Sequence, residues 1–252
     1  MLRVSDLGLG YSDEPVLEGV SLEVPGGKFV SLVGPSGSGK TSILRAITGL
    51  LTPRSGRVDL TDGRESVGFL FQDDALLPWR TVRQNVALGL RIRKEAKTKA
   101  LTDADLWLNR LGLEGFGGRF PHELSGGQRK RVAIAQILAL KPKLLLMDEP
   151  FAALDAIVRT RITQELLNWV EREHLSVLLV THDLEEALTV SDTVYLLSPG
   201  PRARVQKTYD VSIPRPRNIF AARRHPIFTP LLERLWNDMS DAMSSPQLRA
   251  AK

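Results

Sequence analysis

The sequence predicts an α/β protein built on a mainly parallel sheet. Short apolar runs alternate with longer helical patterns along its 252 residues. The run Phe29–Val33 leads into a glycine-rich loop and then a helical pattern, and a second run, Leu144–Met147, ends in two acidic residues. Strands that alternate with helices form parallel sheets with helices on both faces. The length fits one large domain, or one domain with an inserted lobe.

The predicted strands are short and apolar, as is typical of strands that are buried on both faces. They are expected at Leu2–Leu7, Val20–Val24, Phe29–Val33, Val67–Phe71, Leu144–Met147, Val177–Val180 and Val194–Leu197. Helical periodicity predicts helices at Thr41–Leu50, Ala156–Glu173 and Leu184–Val190. No helix separates the first two strands, so we expect them to form an added antiparallel edge of the sheet.

The middle of the chain carries little strand signal and predicts an inserted helical lobe. Three helices are expected there: one capped by Thr81, one at Asp103–Leu111 and one at Gln128–Leu140. We therefore expect a single domain over residues 1–252 with three parts: a core (1–72 and 141–200), this helical lobe (73–140) and a C-terminal tail (201–252).

The tail is basic and contains an expected amphipathic helix. From Arg202 onward the chain has ten basic and four acidic residues. Such a segment contacts nucleic acid, anionic lipid or solvent, and a solvated surface is the interpretation that we favour. Thr229 and Pro230 are expected to start the helix as its N-cap and first residue. Its apolar face, which we expect to pack on the protein itself rather than on a partner, contains Leu231, Leu232, Leu235, Trp236, Met239 and Met243.

The composition excludes several kinds of site. The chain has no cysteine, which rules out disulfides, thiolate metal sites and cysteine nucleophiles. Its N-terminus lacks the apolar core of a signal peptide, and its longest apolar runs are too short to cross a bilayer. We therefore expect membrane association only through a partner.

The segment Gly34-Pro35-Ser36-Gly37-Ser38-Gly39-Lys40-Thr41 matches the phosphate-binding pattern G-x-x-x-x-G-K-[ST] in full. Glycines let backbone N–H groups converge on an anion, and the N-terminus of the following helix adds partial positive charge. Lys40 is expected to contact the outer phosphates, and Thr41 to supply an oxygen to Mg²⁺. We assign nucleotide binding to every residue of this loop and to Ser42.

Asp148 and Glu149 follow the apolar run that begins at Leu144. A buried strand that delivers carboxylates at its C-terminal end suits a nucleotide site at the edge of a sheet. Asp148 is expected to hold Mg²⁺, directly or through water, and Glu149 to polarise the attacking water as a general base. Two acids after a strand also fit the start of an ordinary loop, but the complete phosphate loop upstream favours the catalytic interpretation.

Leu124-Ser125-Gly126-Gly127-Gln128 is identical to the signature sequence of ABC ATPases, and the chain resembles that family over residues 1–200. Further landmarks follow in the family's order: Tyr11 as the aromatic that stacks on adenine, Gln72 as in the Q-loop, Ala153-Leu154-Asp155 as in the D-loop, and His182 as the switch histidine. The resemblance implies a P-loop NTPase core and the cofactors ATP and Mg²⁺.

The resemblance also implies how these residues act. Such subunits form head-to-tail homodimers, in which each ATP lies between the P-loop of one chain and the signature of the other. Ser125, Gly126, Gly127 and Gln128 would contact the γ-phosphate of an ATP bound by the partner. The implied catalytic residues are Glu149, His182, Lys40 and Gln72. The implied metal ligands are Thr41, Gln72 and Asp148, and nucleotide contacts are also implied for Tyr11 and Asp155.

Four segments resemble importers of nitrate, taurine and aliphatic sulfonates: Leu76-Leu77-Pro78-Trp79, Pro150–Ala156, Leu197–Pro201 and Ile213–Arg217. In ABC importers the stretch that contains the first of these segments, residues 73–86, lines the groove that receives a helix of the permease. The resemblance therefore implies an integral membrane permease as partner, with a solute-binding protein acting indirectly. It also implies a peripheral position on the cytoplasmic face of the cell membrane.

Other classes stay open on the sequence alone. The chain fits an importer of another small solute or an exporter, and its basic tail suits a soluble ABC ATPase that acts on nucleic acid or the ribosome. Neither coiled-coil heptads nor a second P-loop occurs in the sequence, and the intact signature argues against a P-loop kinase or GTPase. We expect no nucleic-acid partner.

Overall fold

The computed structural model describes residues 1–11, 14–152 and 154–244. Within them lie nine strands and eight α-helices. The strands are β1 (Leu2–Tyr11), β2 (Glu14–Val24), β3 (Phe29–Val33), β4 (Ser55–Leu60), β5 (Val67–Leu70), β6 (Leu144–Asp148), β7 (Ser176–Val180), β8 (Thr193–Leu197) and β9 (Val205–Asp210). The helices are α1 (Lys40–Thr48), α2 (Val82–Ile92), α3 (Lys97–Arg110), α4 (Gly126–Leu138), α5 (Ala156–Arg172), α6 (Leu184–Val190), α7 (Ile219–Arg223) and α8 (Phe228–Ser244). Across these residues, no helix combines the length and the apolar character that a membrane span requires.

The central sheet has six strands in the order β5-β6-β7-β3-β8-β9. The first five run parallel, and β9 pairs antiparallel with β8 at one edge. Every residue of β3, β6 and β7 is buried, which explains why these strands are apolar at every position or nearly so. The parallel sheet predicted from the sequence is confirmed. Its register sets Asp148, at the end of β6, opposite Val180 at the end of β7.

Three further strands form a separate antiparallel sheet in the order β2-β1-β4. The antiparallel strands predicted near the N-terminus are therefore a sheet of their own and not an edge of the central one. Their apolar residues pack with Ile43 and Ile47 of α1 and with residues of the central sheet. The sequence does not predict β4, because only Val58 and Leu60 in it are apolar and most of the strand is exposed.

Helices α2, α3 and α4 lie between β5 and β6 and pack on one another. Thr81 caps α2 as the sequence predicts. Its side chain accepts a hydrogen bond from the N–H of Gln84 (3.3 Å), and the Gln84 side chain accepts one from the N–H of Thr81 (3.1 Å). Helix α3 begins at Lys97 rather than at the predicted Asp103. The sequence does not predict its first turn, because that turn buries only Ala100 and shows little apolar periodicity.

The predicted C-terminal tail packs on the rest of the protein through β9, α7 and α8. The side chain of Arg217 is fully buried, and Arg215 pairs with Glu171 and Asp192, both at 3.0 Å. The expectation of a solvated surface is therefore wrong for these two arginines, since carboxylates from distant segments pair with them. The two last basic residues of the tail, at 249 and 252, lie outside the described residues.

Helix α8 differs from its prediction at its start and on its apolar face. It begins at Phe228, so Thr229 lies inside the helix and is not its N-cap. The chain turns before Thr229, because the N–H of Phe228 donates a hydrogen bond to the carbonyl of His225 (2.9 Å). Leu235 is buried as expected, whereas Trp236 and Met243 are 63% and 55% exposed. The face that packs is narrower than predicted: α8 packs on α6 and α7, and its Asp238 bonds to Lys207 and Tyr209 of β9.

Candidate nucleotide site

The loop between β3 and α1 has backbone geometry that requires glycine. Gly37 and Gly39 have φ angles of 77° and 84°, in the left-handed region that side chains disfavour. A Cβ on Gly39 would also lie 2.8 Å from Cγ1 of Val16, so no other residue fits there. Ser36 and Gly37 at the tip are exposed, while Ser38 is buried beneath them.

The start of α1 presents backbone donors without acceptors. Gly39 is the N-cap and has no side chain to satisfy them. Over the described parts of the chain, the N–H groups of Lys40, Thr41 and Ser42 donate no hydrogen bond. Unpaired donors at a helix N-terminus bind anions, because they combine with the positive end of the helix dipole. A phosphate group therefore fits this loop.

Lys40 extends from α1 back into the loop. Its Nζ donates hydrogen bonds to the carbonyls of Gly34 and Pro35, both at 2.8 Å. Burial lowers the pKa of Lys40, and the nearby negative charges of Glu149 and Asp148 oppose this shift. The ammonium group is thus held inside the phosphate loop and close to the two acids that follow β6.

Asp148 places a buried carboxylate beside the start of α1. Thr41 Oγ1 donates a hydrogen bond to Asp148 Oδ1 at 3.2 Å. Burial raises the pKa of Asp148, and this hydrogen bond opposes the rise. Nowhere in the described ranges do three or more His, Cys, Asp or Glu residues cluster as a metal site. A hydroxyl and a carboxylate beside a phosphate cradle suit Mg²⁺, which takes its other ligands from phosphate and water.

Glu149 and His182 meet at the ends of the neighbouring strands β6 and β7. Nδ1 of His182 lies 3.1 Å from Oε1 of Glu149. Glu149 has a φ of 42°, and its N–H donates to the carbonyl of Val180 at 2.9 Å. A non-glycine residue in this backbone region is strained, and such strain concentrates at functional sites. The side chains are 23% and 64% exposed, so a substrate can reach them.

Tyr11 lies at the end of β1 with its ring about half-exposed. Its hydroxyl is 3.2 Å from Oγ of Ser42 in α1. This hydrogen bond lowers the pKa of Tyr11; burial opposes the shift and Arg45 adds to it. The hydroxyl is held next to the phosphate loop while the ring remains open to stack on a planar ligand.

Gln72 follows β5, which is paired with β6. Leu70 lies opposite Met147 in this parallel register, so Gln72 emerges at the same end of the sheet as Glu149. Gln72 is exposed, and its carbonyl accepts a hydrogen bond from Nζ of Lys130 at 3.0 Å. The roles predicted for the Gln72 side chain, as a metal ligand and in catalysis, stay predictions.

The signature residues form the N-terminus of α4. The Ser125 side chain accepts from the N–H of Gln128 (3.3 Å), and the Gln128 side chain accepts from the N–H of Ser125 (2.9 Å). Gly126 and Gly127 lie between them. Helix α4 packs against α2, α3, α5 and β5, and within the described ranges no hydrogen bond joins the signature to the phosphate loop. One chain thus brings together the loop, the acid pair and His182, and no hydrogen bond among the described residues ties the signature to them.

Asp155 caps α5, since its carboxylate accepts a hydrogen bond from the first turn of that helix at 3.0 Å. Its predicted contact with nucleotide stays a prediction, and Ala153 of the same motif lies outside the described residues. Arg159 donates to the carbonyl of Leu154 (3.1 Å) and lies 3.6 Å from Asp183. It therefore joins the segment before α5 to the segment before α6.

Three charged residues that no sequence motif indicates hold these segments in place: Lys130, Asp74 and Arg159. Lys130 pairs with Asp74 at 2.9 Å, and Arg159 makes the contacts given above. Their ion-pair partners are distant in sequence, and a charged residue in a helix or loop is ordinarily exposed. No local pattern in the sequence therefore marks them.

The arrangement is suited to binding a polyphosphate and activating water beside it. Backbone donors and Lys40 can neutralise phosphate oxygens. Thr41 and Asp148 offer oxygen ligands to a divalent cation. Glu149, held by His182, is placed to accept a proton from water. These are the parts that phosphoryl transfer to water requires.

Comparisons with known proteins agree on one family. Residues 17–152 match the family described as ABC transporter. The taurine import ATP-binding protein TauB of Yersinia pestis is 43% identical over 212 residues, which are 82% of this chain and 83% of TauB. The nitrate import ATP-binding protein NrtC of Synechococcus elongatus is 40% identical over 229 residues, which are 88% of this chain and 35% of NrtC. The sulfate/thiosulfate import ATP-binding protein CysA of Synechocystis is 43% identical over 206 residues, which are 78% of this chain and 58% of CysA.

The chain therefore spans only 58% of the length of CysA and 35% of that of NrtC. A solved ATP-binding cassette, dimeric in a post-hydrolysis state with ADP and Pi, has a TM-score of 0.74 and 31% identity to this chain. The match covers 84% of this chain and 100% of that one. From the match over residues 17–152 and the identity to TauB, we conclude that the chain belongs to the ABC transporter family.

Proposed function

We propose that this chain is the ATP-binding and ATP-hydrolysing subunit of an ABC importer for a small solute. The observation that carries the proposal is the pairing of Glu149 with His182 at 3.1 Å, next to a phosphate loop that holds Lys40 and Thr41. A structural loop has no need of a strained glutamate, a buried lysine and a buried aspartate at one end of a sheet.

ATP with Mg²⁺ fits this site. It supplies the phosphoryl group and the cation that offsets the phosphate charge. Lys40 and the free N–H groups of α1 would bind the outer phosphates, and Thr41, Gln72 and Asp148 would hold the cation. Glu149 would accept the proton of the attacking water, with His182 keeping the carboxylate in position.

We also propose that two copies complete each site. The signature lies at the start of α4, no hydrogen bond among the described residues joins it to the phosphate loop of the same chain, and its first turn has the donors that favour an anion. A symmetric head-to-tail dimer would bring each signature to the partner's phosphate loop. The dimeric state of the solved cassette supports this arrangement.

An exposed segment before α2 supports a permease as partner. The buried Asn85 fixes this segment, because its side chain bonds to the N–H of Leu77 (2.8 Å) and to the carbonyls of Leu77 (3.1 Å) and Arg80 (3.0 Å). Trp79, between them, is 71% exposed. A rigid loop that presents an exposed tryptophan suits a protein contact. The chain would then lie peripherally on the cytoplasmic face of the membrane, with a solute-binding protein acting indirectly.

The solute that we propose is nitrate, taurine or an aliphatic sulfonate. Support comes from the four sequence segments that resemble this importer group and from the names of TauB and NrtC. The relative CysA is named for sulfate and thiosulfate import, so sulfate belongs in any test of the solute.

The activity is tested with the purified chain and its Glu149→Gln variant. We expect the unchanged chain to hydrolyse MgATP, and the variant to bind ATP and remain as a closed dimer, because binding is kept while the base is lost. Hydrolysis is followed by phosphate release and the dimer by light scattering. Hydrolysis by Glu149→Gln at the unchanged rate would show that Glu149 is not the base. Absence of both hydrolysis and an ATP-dependent dimer would overturn the proposed function.

The solute is tested by growth of the source organism carrying Lys40→Ala. Taurine, alkanesulfonates or sulfate are supplied as the sole sulfur source, and nitrate or ammonium as the sole nitrogen source. We expect a defect confined to one organic sulfonate or to nitrate, which a copy of the unchanged gene restores. Normal growth on every source, in a strain without a second transporter, would contradict the solute assignment and leave the ATPase assignment intact.

A further inference from the structure

Lys130 is a buried lysine on the helix that carries the signature. Its side chain is only 4% exposed. Nζ donates a hydrogen bond to the carbonyl of Gln72 (3.0 Å) and pairs with Oδ1 of Asp74 (2.9 Å). A buried ammonium group is costly unless it is both paired and hydrogen-bonded. The position of α4 is therefore tied to the position of these two acceptors.

A second contact joins α4 to the same segment after β5. Arg129, the neighbour of Lys130, lies 3.5 Å from the other oxygen of Asp74. Its guanidinium also donates to the carbonyl of Leu124 at 2.7 Å, the residue just before the signature serine. The segment that follows β5 is thus joined to the signature by two successive cations of α4.

The signature itself is rigidly connected to these cations. Ser125 and Gln128 bond to each other across the first turn of α4, and Lys130 lies in the next turn. At 1.5 Å per residue, Lys130 is about 7.5 Å along the helix axis from Ser125. A shift of α4 at Lys130 therefore moves the signature with it.

We propose that Lys130 is a positioning residue that couples Gln72 to the signature of the same chain; this inference rests on the proposed function. Binding of MgATP that draws Gln72 toward the cation displaces the carbonyl on which Lys130 depends. Because leaving the buried ammonium group unpaired is costly, α4 follows Gln72. Lys130 touches neither nucleotide nor metal in this scheme.

The coupling runs between the two ATP sites of the dimer. Gln72 belongs to the ATP bound by its own chain, whereas the signature serves the ATP of the partner. ATP bound in one site therefore positions the signature donors of the other site. Coupling between sites is reciprocal, so each ATP improves the closure around the other.

The test uses two disruptive variants and one matched control in the full-length chain. Lys130→Met removes the ammonium group but keeps the length of the side chain, and Asp74→Asn removes its partner charge with little change in shape. Arg131→Met is the control, because Arg131 is also largely buried on α4 but pairs with Glu165 of α5 at 3.2 Å. Each change is made in the unchanged chain and in Glu149→Gln.

Three quantities separate a coupling role from a merely structural one: the Kd of ATP for the monomer, kcat, and the ATP concentration that half-dimerises the Glu149→Gln form. We expect Lys130→Met and Asp74→Asn to leave the monomer Kd within about twofold and to change kcat and the dimerisation midpoint at least about fivefold, the lower range of site-to-site coupling. Arg131→Met should match its parent in all three.

The outcomes distinguish this inference from the proposed function. If Glu149→Gln alone forms no dimer with ATP and the unchanged chain hydrolyses none, the proposed function fails and the coupling with it. If the parents behave as proposed but both disruptive variants match Arg131→Met, only the coupling is overturned. It is also overturned if Lys130→Met weakens ATP binding to the monomer as much as it weakens dimerisation, while Asp74→Asn changes neither of these two quantities. Lys130 would then serve the fold alone.

Discussion

Nδ1 of His182 lies 3.1 Å from Oε1 of Glu149, across the ends of two adjacent parallel strands. The contact gives the strained glutamate a second support besides its backbone hydrogen bond to Val180. In the proposed mechanism Glu149 is the base and His182 keeps its carboxylate in line with the attacking water. The two side chains should therefore act as one unit.

This pairing predicts non-additive kinetics. We expect Glu149→Gln to lower kcat at least about 100-fold and His182→Ala about 10- to 100-fold, within the range for general-base catalysis. The double variant should be no slower than Glu149→Gln alone, because residues that act together lose their effect together. Steady-state ATPase assays of the three variants check this. Multiplying losses in the double variant would mean that His182 acts independently of Glu149.

The two signature glycines predict opposite effects on stability. A Cβ on Gly127 would lie 2.7 Å from Cγ1 of Val158, whereas on Gly126 its nearest neighbour is Arg129 at 3.8 Å. Gly127→Ala should lower the free energy of unfolding by about 1–3 kcal/mol, as overpacking between helices does. Gly126→Ala should leave it unchanged or raise it by up to about 1 kcal/mol, because alanine favours helix.

The same pair tests the role of the signature. Gly126→Ala should fold normally yet lower kcat about tenfold or more, because a methyl group would stand where the partner's phosphate approaches the backbone. Urea unfolding and ATPase assays on both variants give the comparison. Unchanged ATPase activity in a well-folded Gly126→Ala protein would place the signature outside the nucleotide site.

Replacing Lys40 is expected to weaken ATP binding without a matching loss in the free energy of unfolding. Its ammonium group is buried, and among the described residues it donates hydrogen bonds to carbonyl and hydroxyl oxygens. Lys40→Met should weaken ATP binding about 100-fold, as expected for the loss of charged hydrogen bonds to phosphate. The free energy of unfolding without nucleotide should change by less than about 1 kcal/mol, since an apolar side chain of similar size is tolerated where a buried charge was.

Calorimetric titration with ATP and urea unfolding measure the two effects. Lys28→Met is the control, because Lys28 is exposed just before β3 and should alter neither quantity. A large drop in the stability of Lys40→Met would assign Lys40 to the structure of the loop as well as to phosphate binding.

Much of this site could be predicted because its parts are local in sequence. The phosphate loop needs glycine at fixed spacing, as at Gly39, where the backbone angle and the nearness of Val16 exclude other residues. Strands β3, β6 and β7 are buried on both faces, so their apolar runs are unbroken or nearly so. The cap at Thr81 depends only on residues within one turn.

The rest of the fold depends on contacts that no local pattern contains. Strand β4 is largely exposed and polar, so its pairing with β1 leaves little trace in the sequence. Lys130 is buried against Gln72, which is 58 residues away, and against Asp74. Arg217 is buried against several carbonyls and Asp192. Basic residues are ordinarily solvated, so the sequence predicts that Arg217 is exposed to solvent, and this prediction is wrong.

Asp192 predicts a pH-dependent contribution to stability. It accepts hydrogen bonds from Arg215 and from the N–H of Phe29, and it lies 3.6 Å from the buried Arg217. Burial acts to raise the pKa of Asp192, but the hydrogen bonds and the two arginine charges together hold it below its ordinary value of 3.8. The folded state therefore favours the charged carboxylate more than the unfolded chain does.

The sign of the effect follows from this lowered pKa. A carboxyl group with a lowered folded-state pKa contributes stability that is fully present above about pH 5 and is lost as the pH falls through 3.8 toward the folded-state value. At pH 7 we expect Asp192→Asn to lower the free energy of unfolding by about 2–3 kcal/mol, near the low end for breaking a buried ion pair because Glu171 still faces Arg215. The difference from the unchanged protein should shrink below pH 4.

Urea unfolding of both proteins between pH 7 and pH 3 tests the prediction. Asp210→Asn removes an exposed carboxylate from β9 and should change the free energy of unfolding by less than about 0.5 kcal/mol at any of these pH values, as surface substitutions do. A loss for Asp192→Asn that is as large at pH 3 as at pH 7 would mean that the carboxylate acts through shape and hydrogen bonding. A loss that fades with acid would show that its charge is what keeps the two arginines of the tail against the sheet.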